Sequence, residues 1–157
     1  MKKALDRNHL KSRRIGMEKI DFVLTWVDGS DPDWLAQRRE YQPGRGTDAG
    51  ESRYRDWDNL QYWFRGVEKF APWVNKIYFV TWGHVPKWLN TAHEKIQIVK
   101  HEDFMAPAYL PTFNINSIEL NLHRIKGLSE HFVFFNDDMF LIDFVRPEDF
   151  FQKRISL

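Results

Sequence analysis

The sequence predicts an α/β fold, Rossmann-like, with a mostly parallel sheet flanked by helices. Short apolar runs such as Phe22-Val23-Leu24, Ile77-Tyr78-Phe79-Val80 and Phe132-Val133-Phe134-Phe135 have the composition of strands buried on both faces. Between them lie segments whose apolar residues recur at helical spacing. Strands that alternate with helices form βαβ units, and their crossovers require parallel pairing. The 157 residues suffice for one domain with a core, expected over residues 20–157 behind a basic leader at 1–19.

A first strand is expected over Ile20–Val27, stopping at Asp28-Gly29-Ser30. Asp31-Pro32 then reads as an N-cap with proline at the first helical position, opening a short helix through Trp34 and Leu35. Tyr41 to Ser52, with its Gly, Pro, Arg and Asp, reads as a mobile surface loop. Leu60, Trp63, Phe64 and Val67 stand at i, i+3, i+4 and i+7 of an amphipathic helix over Trp57–Phe70, closed by Pro72. Lys76–Trp82 is a second buried strand ended by Gly83. Ile96–Val99 is a shorter third strand after the Pro86-Lys87-Trp88-Leu89 turn. A helix is expected from Ser117 to Lys126, with Ile118, Leu122 and Ile125 on its apolar face and Gly127 at its C′ position. The strand ending at Phe135 follows.

With 29% charged and 43% hydrophobic residues, the composition is that of an ordinary soluble globular protein. Aromatic content is high, at 16%, and most of it should be core. A formal charge of +1 offers no argument for nucleic acid binding. No run approaches the roughly 18 apolar residues of a membrane span. The lack of cysteine excludes disulfides and thiolate metal sites. The leader carries Lys2, Lys3, Arg7, Lys11, Arg13, Arg14 and Lys19 against Asp6 and Glu18, with no apolar stretch of a secretory signal. It reads as disordered, with weak attraction to anionic lipid as the sharper alternative.

The chemistry-bearing residues cluster at predicted strand ends. Asp137 and Asp138 follow the last strand, and Asp28 follows the first. Parallel strands would send all three to the carboxyl edge, where open α/β sheets bind ligands. Paired carboxylates either cap a turn or bind a divalent cation. Gly29 lets backbone N–H groups approach a ligand. Glu119 fits a capping box with Asn116 as N-cap, or else stands in the first turn of a helix whose N-terminus attracts phosphate. His123 and Arg124 lie farther along that helix. Arg53, Arg55 and Arg65 suit bidentate phosphate contacts or a solvated helix face. His101-Glu102-Asp103, at another strand end, is a second candidate metal cluster.

Taken together, Ile20–Pro32 resembles the first conserved region of the Stealth proteins. From Arg53 to Asp149 the chain resembles the second. The motifs that carry this are Arg55-Asp56-Trp57-Asp58-Asn59-Leu60, Ala71-Pro72-Trp73-Val74, Pro86-Lys87-Trp88-Leu89-Asn90, Leu110-Pro111-Thr112-Phe113, His123-Arg124-Ile125-Lys126-Gly127-Leu128 and Phe135-Asn136-Asp137-Asp138-Met139-Phe140. The resemblance implies a glycosyltransferase-A-like fold and transfer of a sugar-1-phosphate, of the GlcNAc-1-phosphate type, from a nucleotide-sugar to a saccharide hydroxyl. It places this in capsule or exopolysaccharide synthesis, in the bacterial cytoplasm at the inner face of the membrane, with Mg²⁺ or Mn²⁺ as cofactor. The family's catalytic Glu and Asp map onto Glu119 and Asp138, which would also hold the metal, with Asp137 in support. Nucleotide-sugar contacts are expected from Trp26, Val27, Asp28 and Gly29, joined by Arg55, Asn116 and Arg124. Family members continue into a third and a fourth region that supply a His and an Arg, so the chain reads as truncated. The alternatives are a non-catalytic nucleotide-sugar-binding fragment, or a metal-dependent glycosyltransferase using Asp137-Asp138 as its acidic motif. A homo-oligomer formed through the open sheet edge is a further expectation.

Overall fold

A computed structural model describes residues 19–41, 54 and 57–151. The leader up to Glu18, the loop after Tyr41, and Arg53, Arg55 and Asp56 lie outside the described residues.

Among the described residues, four strands form one parallel sheet: β1 (Ile20–Thr25), β2 (Ile77–Thr81), β3 (Ile96–Lys100) and β4 (His131–Phe135), in the spatial order β3-β2-β1-β4. The helices are α1 (Pro32–Tyr41), α2 (Leu60–Phe70), α3 (Ile115–Glu119) and α4 (Pro147–Phe150). The α/β architecture with a parallel sheet is therefore the one expected, and the four strands lie where the apolar runs stood. Register is unambiguous: Phe22 pairs with Ile77 and Val133, and Leu24 with Phe79 and Phe135.

Every residue of β1 is buried, because it has a strand on each side and a layer on each face. The period of two sends Phe22 and Leu24 to one face and Val23 to the other. Phe22 and Leu24 pack with Phe79, Phe135 and the Leu60, Trp63 and Val67 stripe of α2. On the opposite face, Val23, Tyr78, Val80 and Val99 pack against Phe104, Ile118, Leu122 and Ile125 from the β3–β4 connection. Phe22 is the hub of the first cluster, with its ring centroid 4.8 Å from that of Phe135 and 5.6 Å from that of Trp73. Gly66 lies against the Leu141 carbonyl, where a Cβ would stand 3.1 Å away, so α2 approaches the segment after β4 closely.

Three local expectations are corrected. β4 is not buried on both faces along its length: only Phe135 is fully buried. Among the described residues it is an edge strand with β1 as its single neighbour, and Phe132, Val133 and Phe134 are half-covered. The Ser117–Lys126 helix is not continuous. Instead α3 starts at Ile115 and ends at Glu119, and a separate 3₁₀ turn covers Leu122–Arg124. The N-cap is Asn114, whose side chain accepts the Asn116 N–H at 3.0 Å, so no capping box joins Asn116 and Glu119. An Asn two residues upstream reaches that amide first, forming an Asx turn. The apolar face survives the break because Ile118, Leu122 and Ile125 are all buried. Gly127 does take the left-handed conformation, at φ 86°, where a side chain would be strained.

The amino-terminal edge is held by Asp21. Its fully buried carboxylate accepts from Asn75 Nδ2 at 2.6 Å, the Lys76 N–H at 3.0 Å and the Ser129 N–H at 2.8 Å. It thereby ties the starts of β1, β2 and β4 together.

Candidate functional site at the carboxyl edge of the sheet

The chain builds β1, β2 and β3 outward in one direction and then returns to place β4 on the other side of β1. That reversal is a topological switch point, and the crevice beyond it, between the carboxyl ends of β1 and β4, is where such sheets bind ligands. Because Leu24 pairs with Phe135, the two strands leave the sheet side by side. Trp26-Val27-Asp28-Gly29 therefore emerges next to Asn136-Asp137-Asp138. Trp26 is buried, Val27, Asp28 and Gly29 are half-buried, and Asp137 and Asp138 sit exposed in the turn.

The β1 exit is tightly organised. Asp28 Oδ1 accepts from the Ser30 N–H at 2.9 Å and the Ser30 hydroxyl at 2.6 Å. Partial burial pushes the Asp28 carboxyl up, but those two Ser30 hydrogen bonds, with His84 nearby, outweigh it and hold it below the usual value. Asp31 Oδ1 caps α1 by accepting the Asp33 and Trp34 N–H groups at 3.0 and 2.9 Å, as the Asp-Pro signature indicated. Gly29 abuts the backbone of Tyr54, where any Cβ would collide with the carbonyl and come within 2.6 Å of the Tyr54 Cβ. Tyr54 in turn packs on Trp34, lies under the Arg38 guanidinium and donates its hydroxyl to the Phe113 carbonyl at 3.3 Å. Residue 54 is thus anchored at the β1 exit, next in sequence to Arg55.

His84 lies just past the β2 exit, and nothing in its sequence context marked it. Its Nε2 accepts the Asp28 N–H at 2.7 Å, and its Nδ1 stands 3.6 Å from Asp31 Oδ2. Burial draws its pKa below the ordinary value, against the pull of Asp31 and Asp28. His101 opens a 3₁₀ turn at the β3 exit. The His101-Glu102-Asp103 cluster is used structurally. Asp103 accepts the Lys100 N–H at 2.7 Å, and Glu102 pairs with the Lys100 ammonium at 3.6 Å.

The remaining candidates are on the β3–β4 connection. Glu119 ends α3 and is half-buried, and Asn116 is exposed with its N–H turned to Asn114. Arg124 is exposed and 3.4 Å from the Asn121 side-chain oxygen, and His123 is also exposed.

Residues 18–46 match the family model for Stealth protein conserved region 1, and residues 53–156 match that for conserved region 2. The chain belongs to the Stealth family. It is 55% identical over 141 residues to the capsular polysaccharide phosphotransferase WcwK of Streptococcus pneumoniae, an alignment covering 88% of this chain and 43% of that protein. It is 54% identical over 141 residues to the receptor polysaccharide phosphotransferase WefC of Streptococcus oralis, covering 87% and 42%. A capsular polysaccharide phosphotransferase of Streptococcus thermophilus, CpsJ, is 53% identical over 136 residues, covering 84% and 57%. The chain spans about two fifths of the length of the first two of these Stealth proteins.

Among the described residues, no group of three or more His, Asp and Glu side chains forms a ready-made metal cage. An exposed pair of adjacent carboxylates does suit Mg²⁺, which binds through one or two carboxylates and completes its shell with water and substrate phosphate. Among the described residues of this Stealth chain, no helix is long and apolar enough to cross a membrane.

His101 carries a pH prediction. Burial, with His84 nearby, pulls its pKa from 6.5 to about 4. The unfolded chain therefore takes up a proton near its ordinary value that the native state refuses until about pH 4. Stability should fall as the pH drops through that window and level off below it, losing about 3 kcal/mol from this residue. Urea midpoints at pH 7 and pH 4.5 measure the loss, and His101→Gln should reduce it. An unchanged pH slope in that variant would contradict the assignment.

Proposed function

We propose that this Stealth chain carries the donor-binding and catalytic carboxylates of a sugar-1-phosphate transferase in capsular or exopolysaccharide synthesis. The observation that supports this best is the convergence of Asp28 and the Asp137-Asp138 pair on one switch-point crevice, in a chain more than half identical to enzymes named polysaccharide phosphotransferases. The donor is a nucleotide-sugar of the GlcNAc-1-phosphate type, and the acceptor is a saccharide hydroxyl. The acceptor oxygen attacks the phosphorus next to the sugar and loses its proton, while the bond to the second phosphate breaks. A phosphodiester forms and a nucleoside monophosphate leaves.

Trp26, Val27, Asp28 and Gly29 receive the donor at the β1 exit, with Arg55, Asn116 and Arg124 on its phosphates and sugar. Asp138, supported by Asp137 and joined by Glu119, would hold Mg²⁺ or Mn²⁺, which would supply positive charge against the phosphoryl oxygens. The site of action in this reading is the cytoplasm, at the inner face of the membrane.

Calorimetric titration with a panel of nucleotide-sugars, with and without Mg²⁺, tests the reading. Asp138→Asn should abolish Mg²⁺-dependent donor binding while leaving the circular dichroism spectrum unchanged. Wild-type affinity in that variant would remove Asp138 from the site. With an acceptor present, a phosphodiester product supports the transferase, whereas release of a nucleoside diphosphate would mark an ordinary glycosyltransferase. Donor binding without turnover would mark a binding module.

A further inference from the structure

His84 is placed where one ring can fix both ends of the donor-facing turn. Nε2 takes the Asp28 backbone N–H at 2.7 Å, and Nδ1 faces Asp31 Oδ2 at 3.6 Å. A nitrogen that accepts an N–H carries no proton, so the neutral ring has its hydrogen on Nδ1, directed toward Asp31. That Nδ1 is buried and has no hydrogen-bond partner among the described residues. The ring packs between two indoles, with centroids 5.2 Å from Trp26 and 5.7 Å from Trp82. Trp82 is itself fixed, donating Nε1–H to Gln37 Oε1 of α1 at 2.8 Å. These contacts restrain the imidazole and tie its position to Trp82 and, through Gln37, to α1.

The Asp28 amide is not satisfied within its own turn, since the Asp28 carboxylate is directed at Ser30 and the next backbone bond runs from the Asp31 N–H to the Asp28 carbonyl at 3.2 Å. His84 supplies the acceptor that the turn lacks. We propose that His84 is a positioning residue of the donor site, whose neutral imidazole sets the Asp28–Asp31 turn in the conformation that receives the nucleotide-sugar. This rests on the donor-site reading above.

Among the described residues, three titratable groups face the ring: Asp28 at the β1 exit, Asp31 at the start of α1 and His101 at the β3 exit. From α1, Gln37 is held by Trp82 and is uncharged. Protonation at Nε2 sets two N–H groups against each other and releases the Asp28 amide, so donor affinity falls as the ring charges. A glutamine at this position can accept the same amide with its side-chain oxygen and cannot titrate. A leucine fills the space and accepts nothing.

The test measures dissociation constants for UDP-N-acetylglucosamine with Mg²⁺ between pH 7.5 and pH 5, alongside urea midpoints and the ¹⁵N shifts of the imidazole. At pH 7.5, His84→Leu should weaken binding roughly tenfold. His84→Gln should stay within about threefold of the wild type and lose the acid-side fall in affinity. The imidazole should be in its Nδ1–H form, with the Asp28 amide protected from exchange. Wild-type affinity in His84→Leu, or an acid-side fall that persists in His84→Gln, would overturn the proposal. If the wild-type chain binds no nucleotide-sugar, the donor-site reading fails by itself. The tautomer and Asp28 amide protection then decide the His84 contact, with an Nε2–H ring or an unprotected amide overturning it.

Discussion

Asp21→Ala should cost on the order of 4 kcal/mol of folding stability, enough to unfold a marginal domain at physiological temperature. The substitution leaves three donors, Asn75 Nδ2, the Lys76 N–H and the Ser129 N–H, without the acceptor they share. Each was desolvated to reach that carboxylate, and a buried donor left unmade costs about 1–3 kcal/mol. Asp21→Asn keeps the shape but turns an N–H₂ group toward those donors, so it should recover little. Chemical denaturation of the two variants beside the wild type measures the effect. A loss under about 1 kcal/mol in Asp21→Ala would show that water replaces the carboxylate.

Gly29→Ala acts at the opposite edge of the sheet. The new methyl group meets the Tyr54 carbonyl and Cβ, and backbone cannot swing aside as a flexible side chain would. Tyr54 must withdraw from Trp34 and Arg38. The expected result is a loss of donor affinity of roughly a hundredfold, with a stability change of only about 1–2 kcal/mol. Titration and denaturation of one preparation separate the two effects. Equal loss in both would make Gly29 a folding residue, whereas unchanged affinity would show that the Tyr54 segment plays no part in binding.

Strand positions were legible because apolar runs in a parallel sheet need no help from distant residues to be recognised. Asp28, Asp137 and Asp138 were legible as a group for the same reason, since parallel strands put every exit on one edge. What the runs cannot express is a strand's place in the order. Phe132-Val133-Phe134 reads like a central strand, yet among the described residues β4 has one neighbour and is half-covered. The α3 boundary differs from the expected one because two asparagines stand close together, and the first accepts the N–H of the second and becomes the N-cap in its place. His84 was illegible for a different reason. It belongs to no spacing pattern, and its partner is the backbone of a residue 56 positions away, where side-chain identity leaves no trace. Tyr54 was equally unmarked, because its approach to Gly29 depends on a residue with no side chain at all.

The Asp21 clasp also joins parts of the chain that are made far apart in time. Its donors lie 54, 55 and 108 positions downstream, so the first strand emerges from the ribosome long before its carboxylate can be satisfied. Until Ser129 has been made, burying β1 leaves the Asp21 carboxylate short of one of the three donors it has in the folded chain. The residue that ties β1, β2 and β4 together can therefore be fully satisfied only once the start of β4 is at hand.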